Sequence, residues 1–173
     1  QGWALLGGGD LLRATEEFRR VIQDEPGLIR AYNNLGTTLA RLGEYEEAVE
    51  ILELALKRRS ENAQVRLNLA ITLRSRGDAA DALAHLDVLR KRFPNEPNIH
   101  YQRAHALKQI GKLDDAAIGY EDALSIDPEY LDAYHGLAST LKQLAASRHP
   151  KRKRQLQEAD SSPLHLGYEN ARR

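Results

Sequence analysis

A step of 34 residues governs this sequence. Gly9, Gly43, Gly77 and Gly111 stand 34 residues apart, and so do Ala14, Ala48, Ala82 and Ala116. Phe18, Leu52, Leu86 and Tyr120 keep the step, as do Leu5, Leu39, Leu73, Leu107 and Leu141. Pro26, Ser60, Pro94 and Pro128 recur near the end of each unit. Columns aligned over four units exceed chance, and a period of this length means stacked repeats. Each unit reads as two helices. Leu35, Leu39 and Leu42 follow helical spacing, and Gly43 stands just past them, where glycine accepts a left-handed backbone without a side-chain clash. Tyr45, Ala48, Val49, Leu52 and Leu56 then form the apolar stripe of a second helix. Gly36 and Ala48 are small where two helix backbones are expected to come close. Proline closes the units because it disrupts helix interiors. One such hairpin cannot bury its apolar faces alone, whereas stacked neighbours share a continuous core.

Composition bounds the function classes. Lys and Arg total 25, and Asp and Glu total 25, in 173 residues. A formal net charge of zero exerts no global pull toward nucleic acid or membrane. There is no cysteine, which excludes disulfides and thiolate metal sites. No apolar run approaches the roughly 18 residues of a membrane span, and no signal peptide is visible. The chain reads as a piece of a longer protein, with a cytoplasmic location expected.

Tyr32, Leu35, Gly36, Leu39, Ala48, Leu52 and Ala55 follow one another in a definite order, with Ser60 where a proline is usual. The unit from Pro97 has His100, Arg103, Ala104, Leu107, Ala116, Tyr120, Ala123 and Pro128 in the same columns, departing at the aromatic and at the Leu-Gly pair. On these residues the stretch from about 1 to 144 resembles the tetratricopeptide repeat family. The resemblance implies an all-α fold, a right-handed superhelical solenoid of antiparallel helix hairpins. The expected organisation is a partial first repeat over 1–28 and full repeats over 29–62, 63–96 and 97–130. A degenerate fifth repeat follows with its first helix over 131–145, and a basic capping helix or tail occupies 146–173. Ala145 and Pro150 stand there where the period would put a glycine and an alanine.

The candidate site follows from the same step. Asn34, Asn68 and Gln102 share one column, which ends at Gly136. The resemblance implies that this column lines the concave surface. A primary amide offers both a donor and an acceptor, so a row of them can hold the N–H and C=O groups of an extended peptide. The row is similar to the asparagine ladder of another repeat domain in the family; the competing reading is ordinary solvated polar residues. Other inward columns are Ala40, Arg74, Lys108 and Lys142 with Arg41 beside them; Arg30, Gln64, Asn98 and Asp132; Asn33, Leu67, Tyr101 and His135; and Thr37, Ile71, His105 and Ser139. They hold five basic residues and one acid. The second helices are acidic by contrast, at Glu46, Glu47, Glu50, Glu53, Asp114, Asp115, Glu121 and Asp122. Asn34, Asn68 and Gln102 are therefore expected to hold a peptide backbone. Arg30, Arg41, Arg74 and Lys108 would favour acidic side chains, although cations near helix C-termini also offset the helix dipole. Leu67, Ile71 and Tyr101 would anchor apolar groups, and Asn33 and His105 would line the same groove. The carboxylate clamp of some family members needs lysines at the positions of Asn33 and Asn98, asparagines at those of Thr37 and Asn68, and a basic residue at that of Gln102. Only Asn68 fits, so that clamp is not expected.

No catalytic constellation is visible. His100 and His105 are five apart, not the four that sets two ligands on one helix face. His105, His135 and Asp132 are the best remaining metal candidate, and a weak one. GGGD at 7–10 lacks the lysine and hydroxyl residue of a phosphate loop. No cofactor or metal is expected. The run KRKR at 151–154 lacks aromatic partners and reads first as a solvated cap or linker, so nucleic acid is not the expected partner. Leu164, Leu166 and Tyr168 alternate, as in an extended peptide able to lie along a surface or in a neighbouring copy. The expected function is a non-catalytic scaffold that binds an extended, acidic peptide segment in its groove. The alternatives are a substrate-presenting repeat region of a larger enzyme and a self-assembling homo-oligomeric scaffold.

Overall fold

The computed structural model describes residues 10–148, which form eight α-helices. The start of the expected first repeat, with Gly9, lies outside these residues, as do KRKR and the rest of 149–173. The helices are α1 (Leu11–Asp24), α2 (Ile29–Leu42), α3 (Tyr45–Arg58), α4 (Ala63–Arg76), α5 (Ala79–Arg92), α6 (Pro97–Gln109), α7 (Leu113–Ile126) and α8 (Leu131–Arg148). Hairpins α2–α3, α4–α5 and α6–α7 fall inside the three 34-residue units. Each helix packs on the next along the chain. The backbones of the first helices of successive hairpins, α2, α4, α6 and α8, also come close to one another in order, while those of α1, α3, α5 and α7 do not. A stack more tightly spaced on one layer curves toward that layer, so the first helices form the concave side.

Glycine ends two of the inner helices in the same way. Gly43 and Gly77 adopt φ of 84° and 115°. Gly43 N–H returns to the Ala40 carbonyl and Glu44 N–H to that of Leu39, satisfying carbonyls the helix end leaves open. Gly111 (φ 81°) repeats the bend after α6. With Ala145 in the equivalent place, α8 continues through Arg148 and reaches 18 residues, against 14 for α2 and α4.

The core runs through the stack as three apolar clusters. Phe18, Leu52, Leu86 and Tyr120, one column, are all buried. Gly36 is small for a reason the sequence did not show. Its missing Cβ makes room for the Leu52 side chain, whose Cγ would lie 2.5 Å away, rather than for the Ala48 backbone. The column that opens with Tyr32 is better described as a donor column. Tyr32 Oη donates to the Pro26 carbonyl at 3.1 Å, Arg66 Nη2 to the Ser60 carbonyl at 2.8 Å, and His100 Nε2 lies 2.7 Å from the Pro94 carbonyl. Three unlike side chains thus tie α2, α4 and α6 to the turns before them. Ion pairs such as Arg19–Glu47 and Arg148–Asp114 are solvent-exposed and contribute little to stability.

Candidate functional site

Thr38, Thr72 and Thr140 set the backbone under the groove. Their Oγ1 atoms donate to the carbonyls of Asn34, Asn68 and Gly136 at 2.7, 2.8 and 2.7 Å. Such a bond to the residue four earlier bends a helix slightly. This threonine column was open to reading in the sequence and was passed over.

The amide column lies where the inner helices meet, and its members are partly to largely buried. Asn34 is 9% exposed, and Asn68 and Gln102 are half-buried. Amides in that position find partners in the adjacent helix. Asn68 Nδ2 donates to Asn33 Oδ1 at 2.8 Å, and Gln64 Nε2 donates to Asn68 Oδ1 at 3.2 Å. Asn33 Nδ2 approaches Asn34 Oδ1 at 3.5 Å. In the next repeat, Gln102 Nε2 and Tyr130 Oη both donate to Asn98 Oδ1 at 3.2 Å. One of these amide–amide bonds, Asn68 to Asn33, crosses between helices, and the others run along a single helix. Asn34 Nδ2 and Gln102 Oε1 remain buried without a partner, a donor at one end of the row and an acceptor at the other.

The row ends at Gly136 for a steric reason. A Cβ on Gly136 would collide with the Tyr120 ring, 2.6 Å from Cζ and 2.9 Å from Cδ1. Tyr120 replaces the leucines of its column, and its larger ring fills the space a fourth amide would need.

The three expected apolar anchors do not gather into one patch. Ile71 shares a 260 Å³ cleft with Thr37, Arg41, Tyr45 and Asn68. Leu67 lines another, of 320 Å³, with Gln64, Leu89, Phe93 and Asn98. Tyr101 belongs to a third neighbourhood, its ring centroid 5.5 Å from that of His105, 5.9 Å from Tyr120 and 5.2 Å from Tyr130. Burial pushes the Tyr120 and Tyr130 hydroxyls up to about 12, with Tyr101 adding to both. Burial likewise raises the pKa of Tyr101. Tyr120 and Tyr130 stand beside Tyr101 although the sequence reading did not bring them there; for Tyr120, a tyrosine in a column with two leucines was the available signal.

Of the basic residues, Arg41 stands beside the 260 Å³ cleft, and Arg30 is exposed on the first turn of α2. Arg74 Nη1 reaches across to His105 Nδ1 at 3.4 Å, and Lys108 Nζ donates to Ser139 Oγ at 2.8 Å. Burial lowers the pKa of His105, and Arg74 and Lys108 lower it further. The acidic residues of α3 and α7 are largely exposed on the outer layer. His105, His135 and Asp132 do not form a metal-binding group; among the described residues no three such side chains do. None of the described helices is long and apolar enough to cross a membrane.

Comparison with known proteins agrees with this geometry. A family model described as tetratricopeptide repeat matches residues 5–70 and 39–108, and a second of the same description matches 97–130. Curated protein sequences give no match. Among solved structures, residues 41 to the end of MamA from Desulfovibrio magneticus RS-1 superpose with a TM-score of 0.76 at 19% identity, covering 93% of each chain. YrrB, described as having an unusual peptide-binding site, gives 0.67 at 22% identity over 83% of this chain and 74% of its own. TTC0263, a thermophilic protein from Thermus thermophilus, gives 0.70 at 24% identity over 81% and 77%.

Proposed function

This chain belongs to the tetratricopeptide repeat family of protein-interaction scaffolds, and from that premise we propose that its concave face binds an extended, acidic segment of a partner protein. The carrying observation is the run of basic residues along the inner helices. Arg41, Arg74 and Lys108 recur about one repeat apart and make no ion pair with any described carboxylate. Charge arranged this way steers acidic partners and gives salt-sensitive association. In this reading Asn34 Nδ2 and Gln102 Oε1, buried and unpartnered in the free chain, turn outward to bond groups of the bound backbone, with Asn68 and Asn33 beside them. Ile71, Leu67 and Tyr101 then act as three separate contacts spaced along the segment. The peptide-binding description of YrrB supports the reading by analogy of fold. The scaffold is non-catalytic and needs no cofactor; as the substrate-presenting part of a larger enzyme it would use the same face. The same reading sets the scaffold in the cytoplasm.

The test is a pull-down with the chain and with an Asn34→Ala, Asn68→Ala, Gln102→Ala variant matched for helicity and melting temperature. Loss of a protein partner from the variant alone supports the groove. An unchanged set of partners refutes it.

A second reading, end-to-end self-assembly, is favoured by the last hairpin. There α7 and α8 leave a 480 Å³ groove lined by Ala117, Ile118, Glu121, Leu141 and Leu144. Ile118 is 56% exposed and Leu141 48%, as for a surface awaiting a further helix. Solution mass by light scattering, with Leu141→Glu as the comparison, decides it: a monomer at all concentrations removes this reading.

A further inference from the structure

The aromatic neighbourhood around Tyr101 has a charge imbalance that the groove reading does not explain. A guanidinium only donates, so the contact from Arg74 Nη1 requires a lone pair on His105 Nδ1 and places the ring proton on Nε2. His105 is thus a neutral imidazole beside two cations. No described carboxylate offsets them. From α5, Asp87 is held by Arg103 at 2.7 Å. From α8, Asp132 acts on Tyr101 and Tyr130 rather than on His105, and Ser139 is the partner of Lys108. From α7 comes Tyr120, which is fully buried with no partner for its hydroxyl. Arg74 Nε is also buried without an acceptor. A buried, unpaired guanidinium donor is costly, and a carboxylate is the group that best satisfies it, accepting two parallel N–H bonds.

We propose that Arg74 of α4 together with His105 and Lys108 of α6 forms a subsite for one Asp or Glu carboxylate of the bound segment, and that seating the carboxylate protonates His105. This rests on the groove reading and assigns one position within it. The proton comes from solvent and goes to Nδ1. Arg74 then turns from the imidazole to the carboxylate, and the imidazolium becomes a second donor to the same anion. The opposite charge now beside the ring favours its charged form. Binding therefore takes up a proton, and affinity rises as pH falls through the range where the free imidazole is neutral. The rise stops once the free imidazole is itself protonated, and affinity falls again where the ligand carboxylate protonates, near pH 4.3 for glutamate by its ordinary value, taken as approximate.

The probes are two fluorescein-labelled peptides, five repeats of Gly-Glu and five of Gly-Gln. Their binding is read by anisotropy at pH 7.5 and 6.0, and the His105 ring nitrogens are followed by NMR. The expected result is a Glu peptide bound about tenfold more tightly at pH 6.0 than at 7.5, with Nδ1 of His105 moving to its protonated position only in that complex. Arg74→Gln brings the Glu peptide to the affinity of the Gln peptide. His105→Gln keeps some preference for Glu but removes its pH dependence, which loss of a merely structural residue would not do. Equal binding of both peptides with an unmoved His105 overturns the subsite and leaves the groove standing. Absence of any shift at Asn34, Asn68, Gln102 or His105 with either peptide overturns both.

Discussion

Replacing Gly136 by alanine probes the contact that ends the amide row. In an exposed helix interior this change stabilises by about 1 kcal/mol, because alanine is the better helix former. Here the new Cβ meets the Tyr120 ring at 2.6 and 2.9 Å from two of its atoms. The ring is fully buried and cannot swing into solvent. Forcing a methyl group into such a core costs about 1–3 kcal/mol, as the displaced backbone and rotamers relax. Because the overlap is with a rigid ring, the upper part of that range applies, so the net loss is about 1–2 kcal/mol after the propensity gain. Urea unfolding monitored by circular dichroism measures it, with the slope checked against wild type so that loss of α8 alone is not mistaken for loss of global stability. The decisive arm is Tyr120→Leu, which restores the residue found at positions 52 and 86. In that background Gly136→Ala has no ring to meet and should stabilise by about 1 kcal/mol, giving a coupling of about 2–3 kcal/mol across the cycle. If Gly136→Ala is stabilising with Tyr120 in place, or costs the same in both backgrounds, the steric account is wrong.

Tyr120→Phe removes a buried hydroxyl that has no partner, so the melting temperature should hold or rise, and a fall of several degrees would mean the hydroxyl is bonded. Gly77→Ala should cost more than a change at an ordinary loop glycine, about 1 kcal/mol or above, because its φ of 115° is strained for any side chain; thermal melts read this directly. Asn33→Leu deletes the acceptor of Asn68 Nδ2 and should destabilise by about 1–2 kcal/mol, with urea midpoints as the measure. His85 and His105 are both lowered, first by burial and then by neighbouring Arg66 or Arg74. The unfolded chain takes up these protons near pH 6.5, by approximate model values, before the folded one does. Stability should therefore be full above about pH 7 and decline as pH falls below 6.5; a His85→Gln, His105→Gln variant flattens that decline in urea melts at pH 7.5 and 5.5, and an unchanged slope refutes the assignment.

The fold was open to reading in the sequence because its period is a packing period. Gly43 and Gly77 carry backbone angles that only glycine holds cheaply, and Phe18 through Tyr120 carry one buried position repeated. The family pattern also led to the inner columns without a structure. What it did not reveal is pairing across repeats. Asn33 reads as a neighbour of Asn34 along the chain, yet its strongest partner is Asn68, 35 residues on. Leu67 and Ile71 share a helix face in sequence but open onto different clefts, because each faces a different neighbouring hairpin. His100 looked like a departure from the aromatic column until its bond to the Pro94 carbonyl showed which property that column keeps.

The close backbone approach of α2 to α4, α4 to α6 and α6 to α8, without matching approach among the outer helices, has a mechanical consequence. A stack fastened along one layer flexes about that layer as about the spine of a book. Bending shears the inner helices against the outer ones and changes the spacing of the inner helices less than that of the outer ones. The floor of the groove is therefore the stiffer layer, a ruler graduated in repeats, and the walls move further. A ligand that spans several graduations meets that spacing mainly through its own backbone, since tilting the sides toward a peptide disturbs the stack less than stretching the floor to meet one.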